Sequence, residues 1–128
     1  MKIYDCFMYF DEEVVLDIRL NTLNEFVDYF VIVESKFTHK GDPRELKFNH
    51  KRFEKFKDKI IYLIYEQTPS EIEKINIEDS YNEQTRKYIL NAGYRENEQR
   101  NFIKIGLSNA DDDDLIFISD VDEIPNLS

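Results

Sequence analysis

The sequence has little of what marks several common protein classes. It contains no tryptophan, three glycines, three prolines and one cysteine, Cys6. A lone cysteine excludes an internal disulfide and fits a reducing compartment. The first apolar segment leads into "YFDEEVV" and not into Gly-x-Gly or Gly-Lys-Ser/Thr, which excludes the usual dinucleotide-binding and P-loop classes. Neither His39 nor His50 has a cysteine or a second histidine at ligand spacing, which disfavours a zinc site.

From the sequence we expect neither a targeting segment nor a membrane span. Its first ten residues, "MKIYDCFMYF", are interrupted by Asp5 and contain neither a long apolar core nor a small-residue cleavage site. No window approaches the roughly 18 consecutive apolar residues that indicate a spanning helix. We therefore expect a cytoplasmic protein with no membrane span.

Positive charge is scarce as well. The chain has 17 lysines and arginines against 27 aspartates and glutamates, and its net charge is −10. A nucleic acid or an anionic membrane would be approached against long-range repulsion, so neither is an expected partner. A small phosphorylated ligand is compatible with this charge if a divalent cation bridges the like charges.

The sequence does contain enough apolar material for one core. Of its 128 residues, 41% are hydrophobic and 14% are aromatic, which indicates a single domain over residues 1–128. The apolar run from Ile3 to Phe10 predicts a strand, and the acidic residues 11–13 suit the start of a helix. One face of that helix is predicted from apolar residues that recur every three or four positions: Leu16, Leu20, Leu23, Val27 and Phe30.

Three further strands are predicted from the apolar runs "FVIVES", "KIIYLIY" and "LIFIS". Between them, Phe53 and Phe56 indicate a short surface helix, and a helical pattern extends from Tyr81 to Leu107 with a break near Gly93. Strands that are continuously apolar and alternate with helices are typical of a parallel sheet covered on both faces. The prediction is a Rossmann-like α/β fold with a mostly parallel sheet and right-handed crossovers.

The strongest candidate for chemistry is the Asp-x-Asp tripeptide of "ISDVDEIP". Ligands of an open parallel sheet bind outside the carboxyl ends of its strands, and Asp120 and Asp122 directly follow the last strand. In extended chain, side chains two positions apart point the same way, so both carboxylates can converge on one Mg²⁺ or Mn²⁺ while Val121 packs against the sheet. Such an ion completes its coordination with water and phosphate oxygens. The same tripeptide within Asp111 to Asp114 precedes the strand, so we interpret that run as a solvated loop.

A second polar stretch, "YRENEQRN", lies on the helix before the last strand. Asn97 and Asn101 share one face of this helix, as do Arg95 and Gln99. Spacing alone leaves two interpretations open. The stretch is either a surface helix with Arg–Glu pairs, or a helix from which Arg95 or Arg100 neutralises phosphate as a planar donor.

Together, several segments resemble glycosyltransferase family 17, a family of N-acetylglucosaminyltransferases. In order along nearly the whole chain, they are "KIYDCFMYFDEEVVLDIRLNTLNEFVDYFVIVES", "RFEKFKDKIIY", "RENEQRN" and "ISDVDEIP". The resemblance implies a GT-A type fold in which Asp120 and Asp122 bind Mn²⁺ or Mg²⁺ and, through it, the diphosphate of a nucleotide sugar. It implies UDP-N-acetylglucosamine as the donor, a glycan hydroxyl as the acceptor, and inversion at the anomeric carbon.

The resemblance also implies a set of substrate-binding residues. Two lie at strand ends where such enzymes contact the base and ribose, one follows the metal motif, and five match the family's polar helix motif. In that order they are Asp11, Glu34, Glu123, Arg95, Asn97, Gln99, Arg100 and Asn101. Because relatives continue well beyond the Asp-x-Asp motif, the chain is expected to be a donor-binding half without the acceptor site, and its catalytic base is unknown.

Two alternatives from other functional classes stay open. One is a non-catalytic nucleotide-sugar-binding or assembly module that forms a homodimer, or binds a C-terminal partner, through an uncovered apolar surface. The other is a Mg²⁺-dependent phosphotransfer domain with Asp11 as the nucleophile. The sequence lacks the lysine that such a domain needs at the end of a late strand.

Overall fold

The sheet has four strands, and all of them run parallel. In the computed structural model, which describes all 128 residues, they are β1 (Ile3–Tyr9), β2 (Tyr29–Ser35), β3 (Ile60–Tyr65) and β4 (Leu115–Ile118). Their spatial order is β3-β2-β1-β4. The predicted Rossmann-like α/β fold with a parallel sheet is therefore confirmed. From β1 the chain adds strands on one side and then returns to place β4 on the other side, which creates a topological switch point between β1 and β4.

Helices connect the strands and cover both faces of the sheet. They are α1 (Glu13–Leu23), α2 (Tyr81–Asn101) and two 3-10 helices, Glu54–Phe56 and Phe102–Leu107. None of these helices has the length and apolar character needed to span a membrane. On one face, Leu16, Leu20 and Leu23 of α1 pack with side chains of β1 and β2 and with the phenylalanines of residues 48–56. The other face packs Cys6 and neighbouring strand residues against Ile103.

Helix α1 is shorter than the apolar spacing predicts. It ends at Leu23, whereas the predicted face continued to Val27 and Phe30. Both residues are buried, but Val27 lies in the connection and Phe30 lies in β2, where it pairs with Asp5 of β1. The ammonium of Lys59 accounts for part of this ending, because it donates to the carbonyl oxygens of Asn24 at 2.6 Å and Val27 at 3.0 Å.

The predicted break in α2 near Gly93 does not occur. The helix begins at Tyr81, after Ser80 accepts a hydrogen bond from the backbone N–H of Glu83 at 3.1 Å, and continues unbroken to Asn101. Only then does it tighten into the 3-10 helix that starts at Phe102. A glycine lowers helix stability without having to interrupt the helix.

Candidate functional site

A cavity of about 340 Å³ lies at the switch point, between the carboxyl ends of β1 and β4. Its walls come from the end of β1, the start of α1, a loop residue, α2 and the segment after β4: Met8, Phe10, Glu12, Val15, His39, Glu96, Asp120, Val121 and Asp122. Four of these nine residues are carboxylates, and none is a lysine or arginine. The potential in the cavity therefore favours a cation over a free anion.

Asp120 and Asp122 reach this cavity from a turn. Strand β4 ends at Ile118, and the backbone N–H of Glu123 donates to the carbonyl oxygen of Asp120 at 2.9 Å, which closes a four-residue turn. The extended geometry predicted for this segment is therefore wrong. Val121 is buried as predicted, and the side chains of Asp120 and Asp122 are exposed and line the same cavity. Their convergence on one metal ion stays a prediction.

The turn is fastened from within by its own polar side chains. Glu123, a predicted substrate-binding residue, accepts the backbone N–H of Asp120 on Oε1 at 2.9 Å. The hydroxyl of Ser119 donates to the carbonyl oxygen of Glu123 at 3.1 Å. In this structure Glu123 therefore stabilises the turn, and its contact with substrate stays a prediction.

Arg19 is a residue of this region that the sequence interpretation does not identify. It lies on the face of α1 that packs on the sheet, and its side chain is fully buried. Its guanidinium forms a bidentate ion pair with Asp5 of β1, from Nε to Oδ2 at 2.8 Å and from Nη2 to Oδ1 at 2.6 Å. The group also lies over the ring of Phe7, 4.5 Å from its centroid. A sequence signal existed, since Arg19 interrupts the apolar stripe of α1 and Asp5 interrupts the apolar run of β1.

The remaining donors of Arg19 bind the turn after β4. Nη1 donates to the carbonyl oxygens of Asp120 at 2.7 Å and of Val121 and Glu123, each at 3.1 Å. Nη2 donates to the hydroxyl of Ser119 at 2.8 Å. One buried cation thus connects β1, α1 and the Asp-x-Asp turn.

Glu34, predicted to contact the base or ribose, is fully buried at the end of β2. Its carboxylate accepts the backbone N–H groups of Lys47 at 2.6 Å and Phe48 at 3.1 Å and the hydroxyl of Tyr62 at 2.6 Å, and it pairs with Arg44 at 3.0 Å. Burial, followed by the hydrogen bond to Glu34, raises the pKa of Tyr62. These contacts fasten the 44–48 segment over the sheet edge, and the predicted ligand contact of Glu34 stays a prediction.

The polar helix motif is spread over three environments. Arg100 adjoins the cavity, with Nη2 3.1 Å from Glu96 and 3.7 Å from Oδ1 of Asp120. Gln99 is buried and donates to the carbonyl oxygen of Val33 at 3.4 Å. Asn97 and Asn101 are exposed and line a different, smaller pocket.

Two further predicted residues lie apart from the metal motif. The guanidinium of Arg95 covers Gly41 in the loop after β2, and its Nε is buried without a hydrogen-bond partner. Asp11 is exposed in the turn before α1, where its carbonyl oxygen accepts the backbone N–H of Glu13 at 2.8 Å. Of the eight predicted substrate-binding residues, Arg100 and Glu123 are thus the two with direct contacts to the Asp-x-Asp turn.

A second acidic cluster lies at the opposite edge of the sheet, before β4. Carboxylate oxygens of Asp111, Asp113 and Asp114 lie within 4.8 Å of one another. Asp114 already accepts the backbone N–H groups of Lys2 and Asp111, both at 2.8 Å, and these hydrogen bonds, with that of Asp111 the larger, lower the pKa of its carboxyl. This cluster therefore ties the start of β4 to the N-terminal segment.

Comparison with known proteins identifies the family. The model for Glycosyltransferase family 17 matches residues 1–128. Over 116 residues the chain is 33% identical to the β-1,4-mannosyl-glycoprotein 4-β-N-acetylglucosaminyltransferases of Homo sapiens and Rattus norvegicus, and 32% identical to that of Mus musculus. The matched segment is 87% of this chain and 19% of each relative, so the chain spans about a fifth of the length of these curated relatives. No solved structure matches the chain. Because the family match extends over every residue of the fold described above, the chain belongs to glycosyltransferase family 17.

Proposed function

We propose that this chain binds a nucleotide-sugar donor through a divalent cation held by Asp120 and Asp122, and that it supplies the donor side of a glycosyl transfer. The observation that carries the proposal is the acidic cavity at the switch point, where both carboxylates meet the end of β1. The names of the relatives describe transfer of N-acetylglucosamine to a mannosyl-glycoprotein, which favours UDP-N-acetylglucosamine as donor and a glycan hydroxyl as acceptor. In this proposal the parallel sheet is the donor-binding part of a GT-A type fold.

The residues of the cavity fit a hard divalent cation. Asp120 and Asp122 offer carboxylate oxygens, which Mn²⁺ and Mg²⁺ prefer, and both side chains are exposed to solvent that can fill the remaining coordination positions. Without a cation, the four carboxylates of the cavity would repel a diphosphate. When bound, the cation would neutralise the charge that develops on the leaving diphosphate.

Two residues beside the carboxylates are placed to orient a donor. Arg100 lies at the rim, 3.7 Å from Asp120 and 39% exposed, so its planar guanidinium can turn to a phosphate oxygen. His39 borders the cavity with its ring against Phe10, at 5.1 Å between centroids, and its Nε2 has no hydrogen-bond partner in the protein. A bound ligand can therefore form a hydrogen bond with Nε2 of His39, which has no partner within the fold.

We propose that this chain transfers the sugar to an acceptor only together with additional polypeptide. The chain spans about a fifth of the length of the curated relatives that it matches. In an inverting transfer, a carboxylate base deprotonates the acceptor hydroxyl, which displaces the nucleotide from the anomeric carbon. We infer that the base and the acceptor site come from that further polypeptide.

Calorimetry with UDP-N-acetylglucosamine, with and without Mn²⁺, tests the donor-binding proposal. We expect binding to the wild type only with Mn²⁺, and none to Asp120→Ala/Asp122→Ala. The matched control is Asp111→Ala/Asp113→Ala, which removes the same two charges from the cluster at the opposite edge and should bind as the wild type does. Absence of Mn²⁺-dependent binding by the wild type, or equal loss in the control, would overturn the proposal.

A second candidate is a non-catalytic assembly module, and the surface of β4 favours it. This edge strand leaves Leu115 44%, Ile116 42% and Ile118 53% exposed, a run of apolar side chains that a further chain or a second copy would cover. Light scattering of the wild type and Ile118→Lys separates the candidates. A stable dimer that the substitution dissociates, without donor binding by either form, would favour the assembly module.

A further inference from the structure

The buried pair of Arg19 and Asp5 does more than neutralise charge inside the core. A guanidinium has five N–H donors, and here each terminal nitrogen and Nε has acceptors at 3.1 Å or less. Asp5 binds Nε and Nη2 of the guanidinium, and this bidentate pair fixes the orientation of the whole planar group. The remaining donors are directed at the turn after β4, about a hundred positions away in sequence.

The contacts from Arg19 to this turn do not involve the carboxylates that would bind a metal ion. Arg19 binds the main-chain carbonyl oxygens of Asp120, Val121 and Glu123, so none of these contacts uses the carboxylates of Asp120 and Asp122, which line the cavity. A turn on the surface loses backbone freedom when its side chains coordinate an ion, and that loss weakens binding. A turn already fixed through its carbonyl oxygens avoids most of this cost.

We propose that Arg19, oriented by Asp5, is a positioning residue that holds the Ser119–Glu123 turn in the geometry that binds the divalent cation. The inference rests on the proposed function, because it assigns a role toward the same metal site. Groups that orient metal ligands without touching the metal commonly change metal affinity about 10- to 100-fold when they are replaced.

Mn²⁺ affinity, measured by electron paramagnetic resonance of the free ion, tests the role of Arg19 without any turnover. Arg19→Lys keeps the positive charge beside Asp5 but loses the planar group of donors. We expect it to bind Mn²⁺ at least about 10-fold more weakly than the wild type does. Ser119→Ala is the milder variant. It removes the part-buried hydrogen bond from Arg19 and also the hydrogen bond from the Ser119 hydroxyl to the carbonyl oxygen of Glu123, and we expect about 3- to 10-fold weaker binding.

The control must destabilise the fold without touching the turn. Lys59→Met does so, because the ammonium of Lys59 donates to the carbonyl oxygens of Asn24 and Val27, far from the turn after β4. We expect its Mn²⁺ affinity to equal that of the wild type. Amide hydrogen exchange in metal-free protein adds a second readout, in which the Asp120–Glu123 amides should exchange faster in Arg19→Lys than in Lys59→Met at equal global stability.

The outcomes separate the two proposals. Wild-type Mn²⁺ binding that Arg19→Lys and Ser119→Ala leave unchanged, with unchanged exchange in the turn, would overturn the positioning role and leave the proposed function intact. A wild type that binds no Mn²⁺ would overturn the proposed function and the positioning role with it. Equal weakening in Lys59→Met would reduce the effect of Arg19 to general stability and would also overturn the positioning role.

Discussion

At the scale of single residues, Arg19 and Asp5 have the largest expected effect on stability. Arg19→Met would leave the carboxylate of Asp5 buried without its partner, so we expect the free energy of unfolding to fall by about 3–5 kcal/mol. Urea denaturation measures this loss. The control is Arg52→Met, because Arg52 pairs with Glu13 at 3.0 Å while 38% exposed, and such pairs contribute below about 1 kcal/mol. Similar losses of unfolding free energy in Arg19→Met and Arg52→Met would contradict a special contribution of the buried pair to stability.

Cys6 gives a prediction on pH. Burial raises the pKa of its thiol from 9.0 to about 12, so the folded protein keeps a proton that the unfolded chain releases. The stabilisation that the protonated thiol contributes is complete below pH 9.0 and is lost as the pH rises toward about 12. The free energy of unfolding therefore falls in that range of pH.

Cys6→Ala should flatten this fall, and urea denaturation at several pH values measures the slope. The range from pH 9 to 10 is the most informative, because the raised pKa of Tyr9 takes effect only from 10.0 to about 12. An identical slope in wild type and Cys6→Ala would show that the thiol does not contribute.

Part of the candidate site could be read from single residues. The sequence predicts that Asp120 and Asp122 lie at the end of the last strand and that Val121 is buried, and the structure shows both, because a strand followed by Asp-x-Asp needs only local information. The metal-binding role of the two carboxylates stays a prediction. Arg19 was missed, since a charged residue on an apolar stripe identifies a buried ion pair only when its partner is known, and Asp5 lies on another element. Its position among leucines is the signal to look for.

At the scale of secondary-structure elements, the loop after β2 and helix α2 give opposite predictions for the same substitution. Gly41 has φ +94°, and a Cβ there would lie 2.6 Å from Nη2 of Arg95. We expect Gly41→Ala to lower the free energy of unfolding by about 1–2 kcal/mol, chiefly through the backbone conformation. Thermal and urea denaturation give the value.

Gly93→Ala is the matched variant within α2. Apart from the adjacent residues and the backbone of α2 itself, no atom lies within 4 Å of the position that its Cβ would take, so the change replaces a poor helix former at no steric cost. We expect a gain of about 0.5–1 kcal/mol. A loss in Gly93→Ala would mean that the helix is not continuous through this residue.

The lengths of elements were harder to predict than their types. Each predicted strand is present, because a continuously apolar run has few alternatives in a chain of this composition. The apolar spacing predicts a helix face up to Phe30, because the three- and four-residue spacing happens to continue into β2. The segment after β4 was predicted as extended chain, whereas the hydrogen bonds from Arg19 to its carbonyl oxygens stabilise a turn. Both differences come from long-range contacts that periodicity does not contain.

At the scale of the whole molecule, strand order decides which polar residues meet. The sequence predicts that all strand ends share one edge, but it does not predict that β4 pairs with β1. That pairing brings Asp120 and Asp122 into one cavity with Phe10 and Glu12. Glu34, at the end of β2, lies outside this cavity and pairs with Arg44. His39 and Glu96 enter the cavity from a loop and from α2, and no local pattern indicated either.

The central claim is that the cation binds at the switch point and not at the acidic cluster before β4. Titration with substoichiometric Mn²⁺, followed by paramagnetic broadening of amide signals in NMR spectra, tests it most directly, because the broadening decreases steeply with distance from the ion. We expect the amide signals of residues 10–12, 39 and 119–123 to broaden first, while those of residues 111–114 persist. Selective broadening of residues 111–114 would contradict it.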